Sequence, residues 1–171
     1  MNRVVAITGS TGSGKSTVSL ALAKKIPKCA FVEVDHVKHM IISGFYNDKK
    51  SDGTEVWLYS EWKLVGETIG LIGKNFLNNG FSVVICGYMH EDGWQALEGK
   101  LKIDSKFMLH PAKEVIKIRD MERDEKYFMG HQAIQEHLDY LSLSSFDGFT
   151  KINSTDQTVD ETVDYILGLI Q

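Results

Sequence analysis

The chain has 171 residues, of which 43% are hydrophobic and 25% are charged, with 15 glycines and 2 prolines. These values exclude a disordered or collagen-like protein, and the length fits one domain, which we place over residues 1–171. The net charge is −4 and no basic stripe stands out, so we expect no nucleic-acid partner.

Membrane and export signals are weak in this sequence. No apolar run reaches the roughly 18 residues that a membrane helix needs, and the apolar run after Arg3 is too short for a signal peptide. The cysteines, Cys29 and Cys86, have neither the number nor the spacing of a disulfide framework or a metal site. We therefore expect a soluble cytoplasmic protein with no membrane partner, either a monomer or a homodimer.

Apolar runs without alternation predict strands that are buried on both faces, as in a parallel sheet. Such runs lie at Val4–Ile7, Phe31–Val34, Val83–Cys86, Phe107–Leu109 and, in a weaker form, Phe149–Ile152.

Between the strands, apolar residues recur three and four positions apart, which predicts helices with one buried face. These stripes cover residues 18–26, 58–76, 115–118, 134–141 and 159–170. Pro27 ends the first helix and Gly80 the second, while Thr158 and Glu161 have the spacing of a capping box. Strands that alternate with helices predict βαβ units, and hence an α/β fold with an open parallel sheet.

Residues 9–16 match the pattern G-x-x-x-x-G-K-S, between the first predicted strand and the first predicted helix. Glycines let such a loop curl round a phosphate, and the following helix adds its positive N-terminal end. Lys15 would contact the β- and γ-phosphates, and the Ser16 hydroxyl would join the shell of Mg²⁺. The predicted nucleotide-binding residues are Gly9, Ser10, Thr11, Gly12, Ser13, Gly14, Lys15, Ser16 and Thr17.

The remaining sequence narrows the class of nucleotide-binding protein. It lacks the N-K-x-D motif with which GTPases read the base, and it is too short for an ABC-type or RecA-like ATPase. With Gly9–Thr17, Asp35 and the run Arg119–Arg123, the chain resembles the small-molecule P-loop kinases, such as shikimate kinase, gluconate kinase and chloramphenicol phosphotransferase. Residues 32–40 are most similar to those of gluconate-kinase-like bacterial proteins.

This resemblance implies a five-stranded parallel sheet in the order 2-3-1-4-5, with a lid over the phosphates at about residues 121–130. It also implies an ATP- and Mg²⁺-dependent phosphotransferase whose acceptor is a hydroxyl of a small molecule: a sugar acid, another metabolite or an antibiotic. Two alternatives stay open: a nucleoside or nucleotide kinase, and a non-catalytic ATP-binding regulatory module.

Asp35 is predicted at the end of the second strand, beside the phosphate-binding loop. A carboxylate there can accept the acceptor's proton or hold Mg²⁺ through water, and it can also cap a helix over residues 36–42. His36 is a candidate for contact with the acceptor, whereas His39 is interpreted as a surface or packing residue.

Arg119 and Arg123 lie four positions apart on one predicted helix face. The resemblance implies that one arginine packs on the adenine and that a lid arginine reaches the transferring phosphate, roles that we assign to Arg119 and Arg123 respectively. The alternative is a solvated helix face with charge pairs. The loop after the last strand is expected to hold the adenine through Asn153, Ser154 and Thr155.

Cys86 departs from the resemblance, because most relatives have a magnesium-supporting aspartate at the end of the third strand. A neutral thiol is a poor Mg²⁺ ligand, so Ser16 and Asp35 are predicted to carry the metal shell. This departure also keeps the regulatory alternative open. Gly87 and Tyr88, directly past this strand, are predicted to contact the acceptor.

The acceptor-binding region is expected over about residues 36–80, which include a long loop at residues 43–55. Glycines in the helix of this region predict close packing against another element, and they are Gly66, Gly70 and Gly73. Aromatic residues at helical spacing are usually core residues, an interpretation applied to Trp57, Trp62 and Trp94.

Overall fold

A computed structural model describes residues 2–43, 48–49, 55–56, 59–122 and 128–170 of the chain. Within these ranges, no helix combines the length and the apolar character that crossing a lipid bilayer requires. Its main sheet contains the strands β1 (Val4–Gly9), β2 (Cys29–Glu33), β3 (Ser82–Cys86), β4 (Ser105–Leu109) and β5 (Thr150–Ile152). All pairings in this sheet are parallel, as the apolar runs predicted, and the order is 2-3-1-4-5, as the resemblance implied.

Helices connect the strands of this sheet. They are α1 (Lys15–Lys25), α2 (Val34–Lys38), α3 (Tyr59–Asn78), α4 (Glu91–Glu98), α5 (Lys113–Met121), α6 (Gly130–Leu141) and α7 (Val159–Leu169). A 3-10 turn at Ser144–Phe146 precedes β5, and Asp48–Lys49 pairs antiparallel with Glu55–Val56. The sequence did not predict α4, whose 8 residues include few apolar ones.

The sheet is buried on both faces. Successive side chains of a strand point to opposite sides, so each strand contributes residues to two cores. Val5 and Ile7 of β1 belong to a core that includes residues of α1 and α7. Val4 and Ala6 belong to a second core, which includes residues of α3, α4 and α6. Helices on both faces of a parallel sheet form a three-layer α/β/α architecture.

Three of the predicted helix ends are confirmed, although the helix expected over residues 36–42 instead spans Val34–Lys38. Ile26 caps α1 directly before Pro27, and Gly80, with φ of 83°, follows the end of α3. At the start of α7, the Thr158 hydroxyl accepts a hydrogen bond from the Glu161 backbone N–H at 3.2 Å, and the Glu161 carboxylate accepts one from the Thr158 N–H at 2.8 Å.

The glycines of α3 do allow close packing, as predicted. A Cβ added to Gly66 would lie 2.0 Å from the carbonyl oxygen of Gly93 in α4. A Cβ at Gly70 would lie 2.7 Å from the Lys100 Cβ, and one at Gly73 would lie 2.5 Å from a Leu101 methyl carbon. The backbone of α3 therefore touches α4 and the turn that follows it.

The end of β2 differs from the prediction. The strand stops at Glu33, and Val34 is already the first residue of α2, because Glu33 has extended dihedrals and serves as the N-cap. Asp35 thus lies in the first turn of a helix instead of at the end of a strand.

Candidate active site at the phosphate-binding loop

The loop between β1 and α1 has the backbone of an anion cradle. Gly12 and Gly14 have φ of 71° and 86°, in the left-handed region that disfavours side chains. A Cβ on Gly12 would also lie 2.8 Å from the Ile116 carbonyl oxygen. Gly14 is the N-cap of α1, so the positive end of that helix faces the loop.

The polar side chains of the loop fit a phosphate group. Lys15 Nζ donates a hydrogen bond to the Ser10 carbonyl oxygen at 3.2 Å, so the ammonium group folds back over the loop. Among the described residues, the buried hydroxyls of Ser10 and Ser13 have no hydrogen-bond partner. Buried polar groups without partners are costly, and phosphate oxygens would supply those partners. Thr11 is buried, whereas Ser16 and Thr17 are exposed.

Ser16 is held by a carboxylate that the sequence analysis missed. Its hydroxyl donates a hydrogen bond to Glu33 Oε1 at 2.8 Å, and Cys86 Sγ lies 3.9 Å from the same hydroxyl oxygen. Glu33 and Cys86 are partners in the pairing of β2 with β3, so both reach the loop from the carboxyl edge of the sheet. The sequence pattern that could have identified Glu33 is a carboxylate near the end of an apolar run.

These ligands fit magnesium. Within the described parts of the chain, no group of three or more histidine, cysteine, aspartate or glutamate residues is placed to hold a metal ion. Mg²⁺ bound with a nucleotide needs only one or two protein oxygens besides phosphate and water, which Ser16 and Glu33 offer. Burial raises the pKa of the Cys86 thiol, which keeps it neutral and unsuited to a hard cation.

Asp35 and His36 form ion pairs with residues other than Ser16 and Lys15. Asp35 Oδ1 lies 3.2 Å from Lys38 Nζ, and 51% of the Asp35 side chain is exposed. His36 Nε2 lies 3.7 Å from Glu33 Oε2, with 80% of the imidazole exposed. Ser16 and Asp35 were predicted to carry the metal shell together, but the carboxylate that bonds the Ser16 hydroxyl is that of Glu33.

Gly87 and Tyr88 follow β3 at the same edge. A Cβ on Gly87 would lie 2.3 Å from the Val34 Cβ, so the missing side chain makes room for the start of α2. Tyr88 contacts other rings: its ring stacks on His137 with centroids 4.3 Å apart and packs edge-on to Trp62 at 6.4 Å.

These rings belong to a larger group, which we call the aromatic–histidine cluster. Its members are Trp62, Tyr88, His90, His137 and Tyr140. Trp62 was interpreted as a core residue. It is 3% exposed and stacks on His90 within the cluster. Trp94 packs on Phe149 instead, as a core residue does. Trp57 lies outside the described residues. No sequence pattern marked His137, because its partners are far away in the chain.

Arg119 lies beside the phosphate-binding loop, and its neighbour Asp120 joins α5 to α6. The Arg119 guanidinium is 3.7 Å from the position of an added Gly14 Cβ, so it borders the phosphate-binding loop. The buried Asp120 carboxylate accepts hydrogen bonds from the Met129 N–H at 3.2 Å and the Gly130 N–H at 3.0 Å. Asp120 therefore ties the end of α5 to the start of α6. Arg123 lies outside the described residues.

The loop after β5 packs on the start of α5. Thr155 Oγ1 accepts a hydrogen bond from the Ala112 N–H at 2.8 Å and donates one to Asn153 Oδ1 at 2.6 Å. Ser154 is buried, and its hydroxyl has no hydrogen-bond partner among the described residues. The loop thus lies at the start of α5, whereas Arg119 is near the end of that helix. The adenine contact assigned to both stays a prediction.

The sheet order 2-3-1-4-5, with the phosphate-binding loop between β1 and α1, is the fold of the P-loop kinases. No protein-family model matches the sequence, and no curated protein has a matching sequence.

Solved structures share the whole fold at low sequence identity. A sugar kinase from Janibacter sp. HTCC2649 superposes with a TM-score of 0.75 and 17% identity, covering 99% of this chain and 95% of that one. The tunicamycin resistance protein of Deinococcus radiodurans has a TM-score of 0.71 and 13% identity, covering 99% and 96%. The shikimate kinase of Acinetobacter baumannii, solved with shikimate, has a TM-score of 0.64 and 15% identity, covering 99% and 93%. The resemblance is thereby confirmed as a resemblance in fold.

Proposed function

We propose that the chain is a single-domain ATP-dependent phosphotransferase that moves the γ-phosphate to a hydroxyl of a small molecule. The observation that carries this proposal is the Ser16–Glu33 hydrogen bond beside Lys15, at 2.8 Å. Ser16 and Glu33 offer hard oxygen ligands, and Lys15 offers a cation, where the β- and γ-phosphates would lie.

The nucleotide side of the site is built from the loop at residues 9–17. Its N–H groups, with the α1 N-terminus, would hold the phosphates, and Lys15 would neutralise their charge. Mg²⁺, bound by Ser16 and supported by Glu33, would supply further positive charge to the phosphate oxygens. Arg119, which borders Gly14, fits a role at the nucleotide, and we retain Asn153–Thr155 as the adenine loop.

The acceptor side lies between α2, α3 and the residues after β3, within about residues 36–80 and Gly87–Tyr88. In the proposed reaction, the acceptor oxygen bonds to the γ-phosphorus while the bond to the ADP oxygen breaks. The acceptor's proton passes to a carboxylate, for which Asp35 is the candidate base, with His36 near it. Arg123 would stabilise the transferring phosphate when residues 121–130 close over the site.

The presence of Glu33 argues against a non-catalytic ATP-binding module. That alternative depended on Cys86 standing where a magnesium-supporting carboxylate is expected. Glu33, its partner in the neighbouring strand, brings a carboxylate to Ser16 from the adjacent position. The cytoplasm is the compartment we propose, because both Cys29 and Cys86 are free thiols, which fits a reducing environment.

Calorimetry with ATP and Mg²⁺ on Lys15→Ala tests the proposal. Charge-assisted hydrogen bonds contribute roughly 1.5–3 kcal/mol, so the variant should bind ATP at least about tenfold more weakly. Lys24→Ala is the matched control, because Lys24 is an exposed lysine of the same helix. Equal ATP affinity in Lys15→Ala and wild type would contradict the assignment.

The second half of the test is ADP release with and without a library of hydroxyl-bearing compounds. A phosphotransferase should release ADP when its acceptor is added and little without it. ATP hydrolysis that no compound accelerates would refute transfer to a small molecule, even if ATP binds through Lys15.

A further inference from the structure

The aromatic–histidine cluster lies where an acceptor must bind if the proposed function is right. Trp62 comes from α3, Tyr88 and His90 from the segment after β3, and the remaining two residues from α6. Tyr88 follows Cys86 by two positions, and Cys86 Sγ lies 3.9 Å from the Ser16 hydroxyl. The cluster therefore begins beside the phosphate-binding loop, at the carboxyl edge of the sheet.

The cluster presents stacked rings. His137 lies on Tyr88 with centroids 4.3 Å apart and an interplanar angle of 20°. His90 lies on Trp62 at 5.3 Å and 21°, and contacts Tyr140 at 4.5 Å. The Tyr140 hydroxyl is occupied at the start of α4, where it accepts a hydrogen bond from the Glu91 N–H at 2.9 Å.

His137 has an unsatisfied polar atom inside this cluster. Its Nδ1 is buried and has no hydrogen-bond partner among the described residues. On α6, it lies on the same face as the buried Ile134 and Leu141. An imidazole nitrogen without a partner is unusual in a packed interior, and a bound hydroxyl would supply one.

The cluster carries little free charge. Burial lowers the pKa of both His90 and His137, which keeps the imidazoles neutral at pH 7. The positive charges of Lys15 and Lys38 lower the pKa of His137 further, while Glu136 raises it. Lys38, the cation over the Trp62 ring at 5.7 Å, is already paired with Asp35 at 3.2 Å.

From these contacts we infer that the aromatic–histidine cluster binds the acceptor, and that the acceptor is an uncharged ring compound bearing hydroxyls. Ring faces pack against apolar ring surfaces, and neutral imidazole nitrogens bond hydroxyls. A carboxylate or phosphate would need a cation, and among the described residues the cation that contacts this cluster, Lys38, is already paired with Asp35. This inference rests on the proposed function and argues against the sugar acid, which was one of the three kinds of acceptor that the resemblance implied.

Matched pairs of acceptors test the charge preference. We would measure ADP release with glucose against glucuronate, and with thymidine against thymidine monophosphate. The neutral member of at least one pair should give a kcat/KM at least tenfold higher than its charged counterpart. A preference for the charged member of the active pair would overturn the inference while leaving the proposed function intact.

Variants of His137 test the contact itself. His137→Phe keeps a ring against Tyr88 and removes the nitrogens, so KM for the active neutral compound should rise at least tenfold while KM for ATP stays within twofold. His137→Gln restores a neutral polar group and should recover part of that loss. His131→Ala, on an exposed position of α6, is the control and should behave as wild type. An unchanged acceptor KM in His137→Phe would make the cluster a packing feature and overturn the inference.

If none of the four compounds releases ADP, NMR of the histidine ring protons decides. Glucose or thymidine at 10 mM should shift the His137 signals and leave those of His131 in place. Unmoved His137 signals with both compounds would overturn the inference. The proposed function is judged separately, by the Lys15-dependent binding of ATP and by the library screen.

Discussion

The Ser16 hydroxyl and the Glu33 carboxylate are joined by a hydrogen bond of 2.8 Å, which links the start of α1 to the end of β2. The Glu33 side chain is 19% exposed, so its charge is only partly screened by solvent. Cys86, directly across the strand pair, is neutral. Glu33 is therefore the group on which the charge balance at Ser16 depends.

Glu33→Gln should raise the Mg²⁺ concentration needed for half-maximal turnover by about tenfold. Glutamine keeps the size of the side chain and an oxygen that accepts from Ser16, but it removes the negative charge that supports the cation. Magnesium titrations of ADP release would measure the effect. Glu114→Gln, which changes an exposed glutamate of α5, is the control and should match wild type. The same magnesium dependence in both variants would remove Glu33 from the metal site.

Asp35→Asn should lower acceptor-dependent turnover by roughly a hundredfold without changing the magnesium requirement, because it removes the proposed base. Loss of the Lys38 ion pair should cost less than about 1 kcal/mol, since half of the Asp35 side chain is exposed. Asp164→Asn breaks a similar surface pair with Lys25, at 2.8 Å, and serves as the control. Wild-type transfer by Asp35→Asn would leave Asp35 as a structural residue.

The contact between α3 and α4 gives a prediction about stability. Gly66→Ala should destabilise the fold by roughly 1–3 kcal/mol, because the added Cβ would lie 2.0 Å from the Gly93 carbonyl oxygen. Gly168→Ala in α7 meets nothing within 4 Å and should stabilise by up to about 1 kcal/mol through helix propensity. Urea unfolding of the two variants would measure the difference. Equal stability would mean that α3 and α4 can separate without cost.

The phosphate-binding loop and the buried parallel strands followed from the sequence because both are encoded locally, whereas the order of the strands came from the resemblance to the small-molecule P-loop kinases. The pattern of residues 9–16 contains its own glycines, and unbroken apolar runs mark strands buried on both faces. The carboxylate at Ser16 was assigned wrongly because that assignment depends on where β2 ends. A shift of one or two residues exchanges Asp35 for Glu33, and apolar runs do not fix strand ends that finely.

The rest of the site depends on contacts between distant parts of the chain. Tyr88 and His137 stack although 49 positions separate them, and no local pattern marks either as a partner of the other. Helix α4 was not predicted for the same reason. Its Gly93 is a poor helix former, yet it allows the close approach of Met89 and the backbone of α3. Tertiary packing thus determines both features.

The free energy of unfolding should depend on pH through the protonation of His137. Burial lowers the pKa of His137 from 6.5 to about 4, and the charges of Lys15 and Lys38 act in the same direction, while Glu136 opposes them. His90, also in the cluster, has a pKa lowered by burial. Between pH 6.5 and 4 the unfolded chain therefore binds protons that the native chain does not, so stability falls as the pH falls through this range.

A pKa lowered from 6.5 to about 4 corresponds to roughly 3 kcal/mol, present above pH 6.5 and lost by about pH 4. Urea unfolding at pH 7.5, 6.5, 5.5 and 4.5 would measure the loss. His137→Phe cannot take up a proton, so its free energy of unfolding should fall less steeply over this range. His131→Ala removes an exposed histidine of the same helix and should keep the wild-type slope. If His137→Phe follows the wild-type curve, the neutral state of His137 does not contribute to stability, and other groups cause the loss in acid.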